Sequence, residues 1–445
     1  MKSKGKKKIL IFVIVEIIGI LLFSMIPRWD SKNTPSNIVD NTLPPCEVVQ
    51  LSTSLGKIYI DNNWTAAKSA GICTGFGTYA DPYVIKNLVI DGKNFSSCIL
   101  IANSTVHFKI ENCTLFNSGT GWFDAGIKLD HADNGVLINN NCSFNQNAIY
   151  ISYCDNNTVV ENKMYHNKVG IYISSYSENN SIYNNIAKNN SRLGMSISGS
   201  GTKFVGNTAI NNKWGAQFSN LNNDIVSGNT ANNNTEFGIS LFNCHNSTIS
   251  ENIVNYNDYG IVLDRSDHLL ISNNIITNNY EAGIKIESQT SSNTIRENEI
   301  SNNDQSFYIY FAYYSTIYFN NIRENSKNHS ILGPSPNWNS REKMVYTYNS
   351  VNFTGYIGNY WDDYTGVDAN NDGIGDTPHL IWFYIDYEGR TDVYDFYPLM
   401  EPIENYILHK IAEPSRRGIP GYNLIFLFGV LSVAIIIIQR KLKNS

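Results

Sequence analysis

The sequence predicts an all-β protein built as a parallel β-helix, a solenoid of about ten coils with ~22 residues in each coil. Three observations predict this fold: the abundance of asparagine, a repeat of nearly constant period, and the alternation of apolar and polar residues within each repeat. Asparagine supplies 63 of the 445 residues, and 49 of these lie between positions 101 and 350. Because asparagine is unfavourable in helices and regular strands but frequent in turns, the composition argues against a helical bundle.

The repeat consists of two asparagines five residues apart, followed by a small residue and an aliphatic residue. The first asparagine of each unit stands at Asn112, Asn140, Asn162, Asn185, Asn207, Asn229, Asn252, Asn274, Asn298 and Asn321. A unit of about 22 residues is too short for a propeller blade or a pair of helices, and it lacks the Leu-x-x-Leu-x-Leu frame of leucine-rich repeats. One turn of a parallel β-helix is the repeat that remains.

Each unit supplies two or three short strands, such as 158–160, 170–173 and 248–250. Isoleucine and valine alternate with polar residues in these strands, so the aliphatic side chains point into the core. We expect the repeated asparagines to form the bends, because asparagine tolerates the left-handed backbone conformation. Coils stacked ~4.8 Å apart also let the amides form a hydrogen-bonded ladder, so Asn229→Ala should cost about 1–3 kcal/mol.

Both ends of the chain predict membrane segments. Residues 1–26 combine five lysines with an apolar run, which is typical of a signal peptide or a signal anchor. Residues 421–439 are apolar and precede a basic tail, 440–445, which predicts a transmembrane anchor. Basic residues at both ends place the tails in the cytoplasm, so we expect a membrane-anchored protein with its body at the cell surface.

Changes in composition predict the boundaries between these segments. From the N-terminus, the expected parts are a linker at 27–45, the β-helix at 46–330, a second linker at 331–349, a C-terminal module at 350–400 and a stalk at 401–420.

Residues 56–330 resemble the right-handed parallel β-helix repeats of the NosD-like family, also described as carbohydrate-binding and sugar-hydrolase domains. The segments that carry this resemblance are the repeats themselves, Gly77-Thr78, 81–85 and 89–92 near the first coil, and 358–364, 376–378 and 397–399 in the C-terminal module. The resemblance implies a right-handed solenoid that contacts carbohydrate. Residues 416–422, just before the last apolar span, resemble archaeal C-terminal sorting signals, with Tyr422 in place of the usual phenylalanine.

One cluster of residues carries the chemistry that a polysaccharide-cleaving enzyme needs. Hydrolases use two carboxyl groups ~5–10 Å apart. Asp264, Arg265, Asp267 and His268 supply carboxylates, a base and a cation within five residues, so they are the candidate catalytic set. The alternative is that they are solvated turn residues on an acidic solenoid.

Aromatic residues are dense between positions 307 and 319. The candidate carbohydrate-binding residues among them are Tyr308, Tyr310, Tyr313 and Tyr314. Tyrosines that point outward offer flat apolar rings with a polar tip, which suits contact with sugars. The alternative is that this segment covers the open end of the last coil.

A loop in the C-terminal module has the spacing of a calcium site. Asp368, Asn370, Asp372, Ile374 and Asp376 match positions one, three, five, seven and nine of an EF-hand loop. Position twelve is a histidine instead of the usual bidentate glutamate, so we expect a weak structural site for Ca²⁺. The alternative is an ordinary turn rich in glycine and aspartate.

Two kinds of partner are not expected. Residues 46–400 contain 20 Lys/Arg and 33 Asp/Glu without a basic stripe, which does not suit a nucleic acid backbone. The family name suggests copper, yet the histidines are dispersed and few methionines remain in the body, so copper binding is not predicted.

Two functions therefore remain open. The sequence favours a non-catalytic surface protein that binds a polysaccharide or a cell-surface protein through its groove. The alternative is a polysaccharide hydrolase or lyase acting in the same groove.

Overall fold

The computed structural model describes residues 56–326, 329–386 and 389–409. Most of this part is a parallel β-helix in which each coil gives one strand to each of three sheets. The sheets contain 12, 11 and 12 strands, which corresponds to about eleven turns. The predicted fold class is therefore confirmed, with about one turn more than the asparagine repeat indicated.

The three parallel sheets are named here in the order in which a coil visits them. The first sheet contains Ile58–Asp61, Ile99–Ser104, Ala125–Ala132, Asn147–Ser152, Val169–Ile173, Leu193–Ser198, Trp214–Ser219, Phe237–Phe242, Tyr259–Asp264, Ala282–Ile286, Gln305–Tyr310 and Ser330–Leu332. The second sheet contains Tyr83–Lys86, Phe108–Glu111, Gly135–Ile138, Thr158–Val160, Ser181–Tyr183, Lys203–Val205, Ile225–Ser227, Thr248–Ser250, Leu270–Ser272, Thr294–Arg296 and Thr316–Ile317. The third sheet contains Val89–Asp91, Thr114–Phe116, Asn141–Ser143, Lys163–Tyr165, Ile186–Lys188, Thr208–Ile210, Thr230–Asn232, Ile253–Asn255, Ile275–Thr277, Glu299–Ser301, Asn321–Arg323 and Tyr360–Trp361.

Smaller elements close the two ends of the described solenoid. A short helix, Trp64–Ser69, covers the first coils, where the Trp64 indole stacks on Tyr83 at 4.9 Å and donates a hydrogen bond to Ser104. The remaining elements are the two-stranded pair Thr290–Ser291 and Ala312–Tyr313, the antiparallel strands Met344–Tyr348, Val351–Gly355 and Tyr406–His409, the hairpin His379–Asp386 and Gly389–Asp395, and the 3-10 helix Ile403–Asn405.

The core is a stack of aliphatic side chains that repeats from coil to coil. In the first sheet, Ile149 and Ile151 point inward and pair in register with Ile171 and Ile173 of the next coil. All four are fully buried, and burial of such side chains contributes about 1.5–3 kcal/mol each. The residues between them point outward, so the outer face of this sheet is set by alternate positions of the sequence.

Two columns of buried asparagines run along the coil corners. Asn229 shows the pattern: its Oδ1 accepts the Asn207 backbone N–H at 2.8 Å, and its Nδ2 donates to the Phe204 carbonyl and to Asn252 Oδ1. The first column contains Asn140, Asn162, Asn185, Asn207, Asn229, Asn252, Asn274, Asn298, Asn320 and Asn359. The second contains Asn145, Asn167, Asn190, Asn212, Asn234, Asn257, Asn279, Asn303 and Asn325.

The prediction that the ladder asparagines themselves adopt the left-handed conformation is wrong. The left-handed residue is the one before the ladder position: Gly228 has φ of 64°, and Glu251 has φ of 57°. A ladder side chain must point towards the neighbouring coil to make its hydrogen bonds, so the preceding residue makes the bend. For the same reason two predicted repeat positions shift by one residue, because Asn112 is itself left-handed and Asn320 replaces Asn321 in the column.

The predicted linker at 331–349 is not a linker. Ile331 belongs to the last strand of the first sheet, and Trp338 is 2% exposed within the core. The predicted stalk at 401–420 is also wrong for residues 401–409, since Tyr406 is buried and stacks on Tyr348 at 4.8 Å. Both segments carry isolated aromatic residues that the C-terminal end of the solenoid buries.

The predicted membrane segments, 1–26 and 421–439, lie outside the described residues. Among the residues that the structure does describe, none of the helices is both long and apolar enough to span a bilayer.

Candidate functional site

In its middle coils, the outer face of the first sheet carries mainly short polar side chains. Most of its outward side chains there are small hydroxyls, with Gln217 and Phe242 among them. We call the hydroxyl residues the serine floor: Ser152, Ser174, Ser196, Ser198, Ser219 and Ser240. The hydroxyls of Ser174 and Ser152, on adjacent coils, lie within hydrogen-bond distance at 3.2 Å. A hydroxyl both donates and accepts hydrogen bonds, so such a floor matches the hydroxyl groups of a sugar.

An open cavity of about 410 Å³ lies at the N-terminal end of this floor. Its rings come from Phe123, Tyr150, Tyr153, Tyr172 and Tyr176, and we call it the aromatic cleft. The rings of Tyr150 and Tyr172 are stacked at 5.3 Å with 4° between their planes. The faces of these two rings therefore contact each other, and mainly their edges and hydroxyl groups remain for a ligand.

One wall of the aromatic cleft is an insertion in the repeat. From Cys113, whose backbone N–H donates to Asn140 Oδ1, to Asn140 is 27 residues, whereas most units span 22 or 23, and the additional residues form the loop with Trp122 and Phe123. Trp122 is held by cation–π contacts with Lys168, 4.6 Å from the ring centroid, and with the Arg192 guanidinium at 5.8 Å. The longer spacing between these two repeats is visible in the sequence and could have predicted a loop here, but it was not used.

The opposite wall is a column of stacked rings. His131, Tyr153 and Tyr176 stack at 4.7 and 5.1 Å. Asp130 orients the first ring, because its Oδ1 lies 2.8 Å from His131 Nδ1, and its other oxygen lies 3.4 Å from the Lys128 ammonium. On this wall, Lys128 and His131 are therefore both paired with Asp130.

A second group of charged and aromatic side chains lies on the same face, several coils towards the C-terminus. Lys285 lies 2.5 Å from Glu287, 4.4 Å from the ring centroid of Tyr259 and 5.7 Å from that of Tyr308. Asp264 stands beside Glu287 in the preceding coil, and we call these five residues the Lys285 cluster. Burial raises the pKa of Asp264, and the nearby carboxylate of Glu287 adds to this effect.

The structure divides the candidate catalytic set between two surfaces. Asp264 ends its strand on the outer face, and Arg265 turns the corner with φ of 48°. Asp267 and His268 follow at that corner, where Asp267 Oδ1 lies 2.7 Å from His245 Nδ1. Although burial acts against it, hydrogen bonds from His268 and His245 lower the pKa of Asp267. The four residues therefore do not converge on one point.

The candidate aromatic residues are also divided. Tyr308 and Tyr310 point outward from the first sheet, whereas Tyr313 and Tyr314 follow at the corner beyond it. Phe307, in the same segment, points inward and packs edge to face against Trp338 at 5.3 Å. Part of the segment thus closes the end of the core, and only its outward tyrosines face the groove.

The predicted calcium loop is a compact turn held by its own side chains. Asp368 accepts hydrogen bonds from the backbone N–H groups of Asp372 and Gly373, and Asp376 accepts one from Ala369. Asn370 Nδ2 donates to Asp372 Oδ2 at 3.1 Å. Each carboxylate oxygen keeps a further lone pair, so these hydrogen bonds are compatible with a cation.

Within the described ranges, no three His, Cys, Asp or Glu side chains come close enough together to hold a metal ion. A calcium ion in this loop would therefore depend also on Asn370 and on the Ile374 carbonyl. The calcium site stays a prediction.

We expect millimolar calcium to raise the melting temperature of the protein, because oxygen ligands on such loops bind Ca²⁺ with dissociation constants of about 10⁻⁴–10⁻³ M. The Asp372→Ala variant should lose this rise, and thermal unfolding with and without calcium measures it. An equal shift in both proteins would show that the loop binds no calcium.

The described residues do not fit a copper site. The cysteines in this part of the chain are buried in the core, and burial raises the pKa of Cys98, Cys154 and Cys244 to about 12. His329 is buried too, with its Nδ1 hydrogen-bonded to the Ser306 hydroxyl, and burial lowers its pKa to about 3. Copper requires clustered, deprotonated sulfur or imidazole ligands, and these groups are dispersed.

Solved structures with the same fold have low sequence identity to the chain. The periplasmic alginate epimerase AlgG shares 14% identity over 64% of this chain and 82% of its own, with a TM-score of 0.40. The Azotobacter vinelandii mannuronan C-5 epimerase AlgE6 A-module shares 13% over 64% and 95%, with a TM-score of 0.33. The Streptococcus pneumoniae surface adhesin PfbA shares 12% over 62% and 87%, with a TM-score of 0.44. At this level the similarity concerns the fold alone.

No curated protein matches the chain. Two family models match it: "Right handed beta helix region" over residues 56–220, and "Periplasmic copper-binding protein (NosD)" over residues 188–366. The two matches overlap and together cover nearly all of the described solenoid. Each model covers less than half of the chain, so the matches show a right-handed parallel β-helix and a similarity to the NosD family over residues 188–366.

Proposed function

We propose that the protein binds carbohydrate on the outer face of its first sheet, without cleaving it. The observation that carries the proposal is the aromatic cleft, which opens directly onto the serine floor. Ligand sites are concave, with apolar walls and a few polar groups that orient the ligand, and a volume of about 410 Å³ falls within their usual range. Ring edges, tyrosine hydroxyls and serine hydroxyls together match a ring that carries many hydroxyl groups.

The charges of the face favour a neutral sugar. Lys128 is paired with Asp130 on one strand, and Lys285 is paired with Glu287 just after the end of its strand, so these two lysines are compensated by a carboxylate. Lys168 and Arg192, at the edge of the cleft, lie against the Trp122 ring. The body as a whole has an excess of acidic residues, which disfavours an acidic polysaccharide through its overall field.

The Tyr172→Ala variant should bind polysaccharide up to about tenfold more weakly than the native chain, because an aromatic contact contributes about 0.5–1.5 kcal/mol. Calorimetry with the full chain and a panel of soluble glucan, mannan, xylan, galacturonan and alginate measures this change. The matched control is Tyr183→Ala, which removes an outward tyrosine of the second sheet from the neighbouring part of the same coil. Equal binding by all three proteins, or no binding to the panel, would contradict the proposal.

A second candidate function rests on Asp264 and Glu287. These carboxylates stand on adjacent coils, which are ~4.8 Å apart, and one of them has a raised pKa. Glycoside hydrolysis uses two carboxyl groups ~5–10 Å apart, one of them protonated, and the coils that carry this pair have a comparable spacing. Release of reducing ends from the same panel by the native chain, and its loss in Asp264→Asn, would favour a hydrolase over a binding protein.

The proposal places the body outside the cytoplasm, where polysaccharides are found. The basic and apolar segments at both ends of the sequence support this location, and they would keep the body at the membrane surface.

A further inference from the structure

The aromatic cleft and the Lys285 cluster lie on one straight line of the outer face. Tyr172, Ser196, Gln217, Ser240, Val262 and Lys285 occupy equivalent positions of successive strands, each in register with the next. Five coil steps of ~4.8 Å separate Tyr172 from Lys285, a distance of about 24 Å along the solenoid. The two groups are therefore parts of one surface.

The residues between the two groups form a shallow trough. Ser196, Ser240 and Val262 are short and are at most 9% exposed. Gln217, between the two serines, and Phe242, in the neighbouring outward column, are longer and half-buried, so the trough is deepest at the short residues. One edge of the trough is raised by Trp214 and Phe237, whose rings stack at 5.4 Å at the start of their strands. This stack continues to Tyr259, which is in register with Phe237.

We infer that a neutral polysaccharide lies in this trough parallel to the solenoid axis and contacts the aromatic cleft and the Lys285 cluster at the same time. The inference rests on the proposed carbohydrate binding and adds the size, charge and direction of the ligand. A small sugar fills the cleft alone. Only an extended polymer reaches Tyr259 and Tyr308 as well, and both of its contacts are then with aromatic rings beside an internally neutralised lysine.

Length dependence of binding tests the two-contact arrangement. The probes are size-fractionated oligosaccharides of glucan, mannan and xylan, in one fraction too short to span ~24 Å and one fraction that exceeds it. The longer fraction should bind the full chain at least about tenfold more tightly, because its second contact forms within one complex at a high effective concentration. Affinity per molecule is measured by calorimetry.

The Tyr308→Ala variant should reduce binding of the long fraction to the level of the short one, a larger loss than any it causes for the short fraction. Lys285→Met, which keeps the length of the side chain, provides a second variant at the same cluster. Lys188→Ala on the outer face of the third sheet is the control, and thermal unfolding checks that each variant is folded.

The outcomes separate the two proposals. Equal affinity for both fractions, with binding still weakened by Tyr172→Ala, would overturn the extended-ligand inference and leave carbohydrate binding in the cleft intact. Binding of galacturonan or alginate fragments in preference to neutral ones would overturn the inferred charge of the ligand. No binding of any fraction would overturn both proposals.

Discussion

Replacing Asp395 with alanine should destabilise the protein by at least about 3 kcal/mol and should unfold its C-terminal end first. Asp395 is fully buried and accepts four hydrogen bonds, from the backbone and side-chain N–H groups of Asn359, the Trp361 indole and the Tyr397 backbone. An unsatisfied buried donor costs about 1–3 kcal/mol, and the alanine leaves three or more of them. Thermal and denaturant unfolding followed by tryptophan fluorescence measure the loss.

Asp395 is critical because it terminates the first asparagine column. Asn359 is the last member of that column, and its Nδ2 also donates to the carbonyls of Ile317 and Trp338. Gly358 leaves room for the carboxylate, since a Cβ at this position would lie 2.0 Å from Asp395 Oδ1. Loss of the carboxylate therefore disturbs the contact between the last coil and the C-terminal module.

The loss of stability caused by Asp395→Ala should depend on pH. Burial raises the pKa of Asp395 from 3.8 to about 6, although the hydrogen bonds act in the opposite direction. A carboxyl group with a raised pKa favours the folded state when protonated, so its contribution is complete below about pH 4 and declines as the pH rises to about 6. Asp395→Ala should therefore cost more at about pH 4.5 than at about pH 7.5.

Two further variants check this interpretation. Asp395→Asn keeps the shape but replaces one acceptor by a donor, so its stability should lie between those of the native protein and the alanine variant. Asp363→Ala removes a carboxylate that is 76% exposed nearby and should change stability by no more than about 0.5 kcal/mol. Similar stability of Asp395→Ala and the native chain would refute the role assigned to this carboxylate.

The second large effect is expected from Asn229→Ala, which should cost about 2–5 kcal/mol. This exceeds the 1–3 kcal/mol that the sequence alone suggests, because the structure shows two backbone groups that each lose a hydrogen bond to this side chain. The Asn207 N–H loses its acceptor and the Phe204 carbonyl loses a donor, both next to the core, at about 1–3 kcal/mol each. Equilibrium unfolding in guanidinium chloride gives the difference in free energy.

Asn255→Ala is the matched control for the ladder. Asn255 points outward from the third sheet one coil away, and its buried Oδ1 has no hydrogen-bond partner, so alanine should be neutral or slightly stabilising there. If both variants unfold at the same denaturant concentration, the ladder contributes nothing beyond composition.

The sequence predicted the fold well because one local pattern determines it. The period of about 22 residues and the inward aliphatic residues define each coil, and stacking then follows from burial. The exact position of the ladder asparagine was harder to predict from the sequence, because the left-handed residue and the ladder residue are adjacent and both are often asparagine. Asn139 and Asn140 illustrate this: the first has φ of 56°, and only the second joins the column.

The candidate site was predicted only in part because its members come from different coils. The sequence analysis grouped Asp264 with Asp267 and His268, which are close in sequence, yet its neighbour on the outer face is Glu287, 23 residues later. The repeat period itself contained this information, since residues one period apart lie side by side in a parallel β-helix. Tyr150 and Tyr172 can be paired by the same rule.

The ladder register also restricts where glycans can be attached. Asparagine-linked glycosylation requires Asn-x-Ser/Thr, and two residues after a first-column asparagine the chain points into the core, as Ala231 does after Asn229. A sequon at such a position would therefore place a hydroxyl inside the solenoid. An asparagine at the bend, one residue before the ladder position, does not have this constraint. The third residue of its sequon points outward, as Thr114 does in Asn112-Cys113-Thr114. Asparagines at the bend can therefore carry a glycan, whereas the ladder asparagines one residue later cannot.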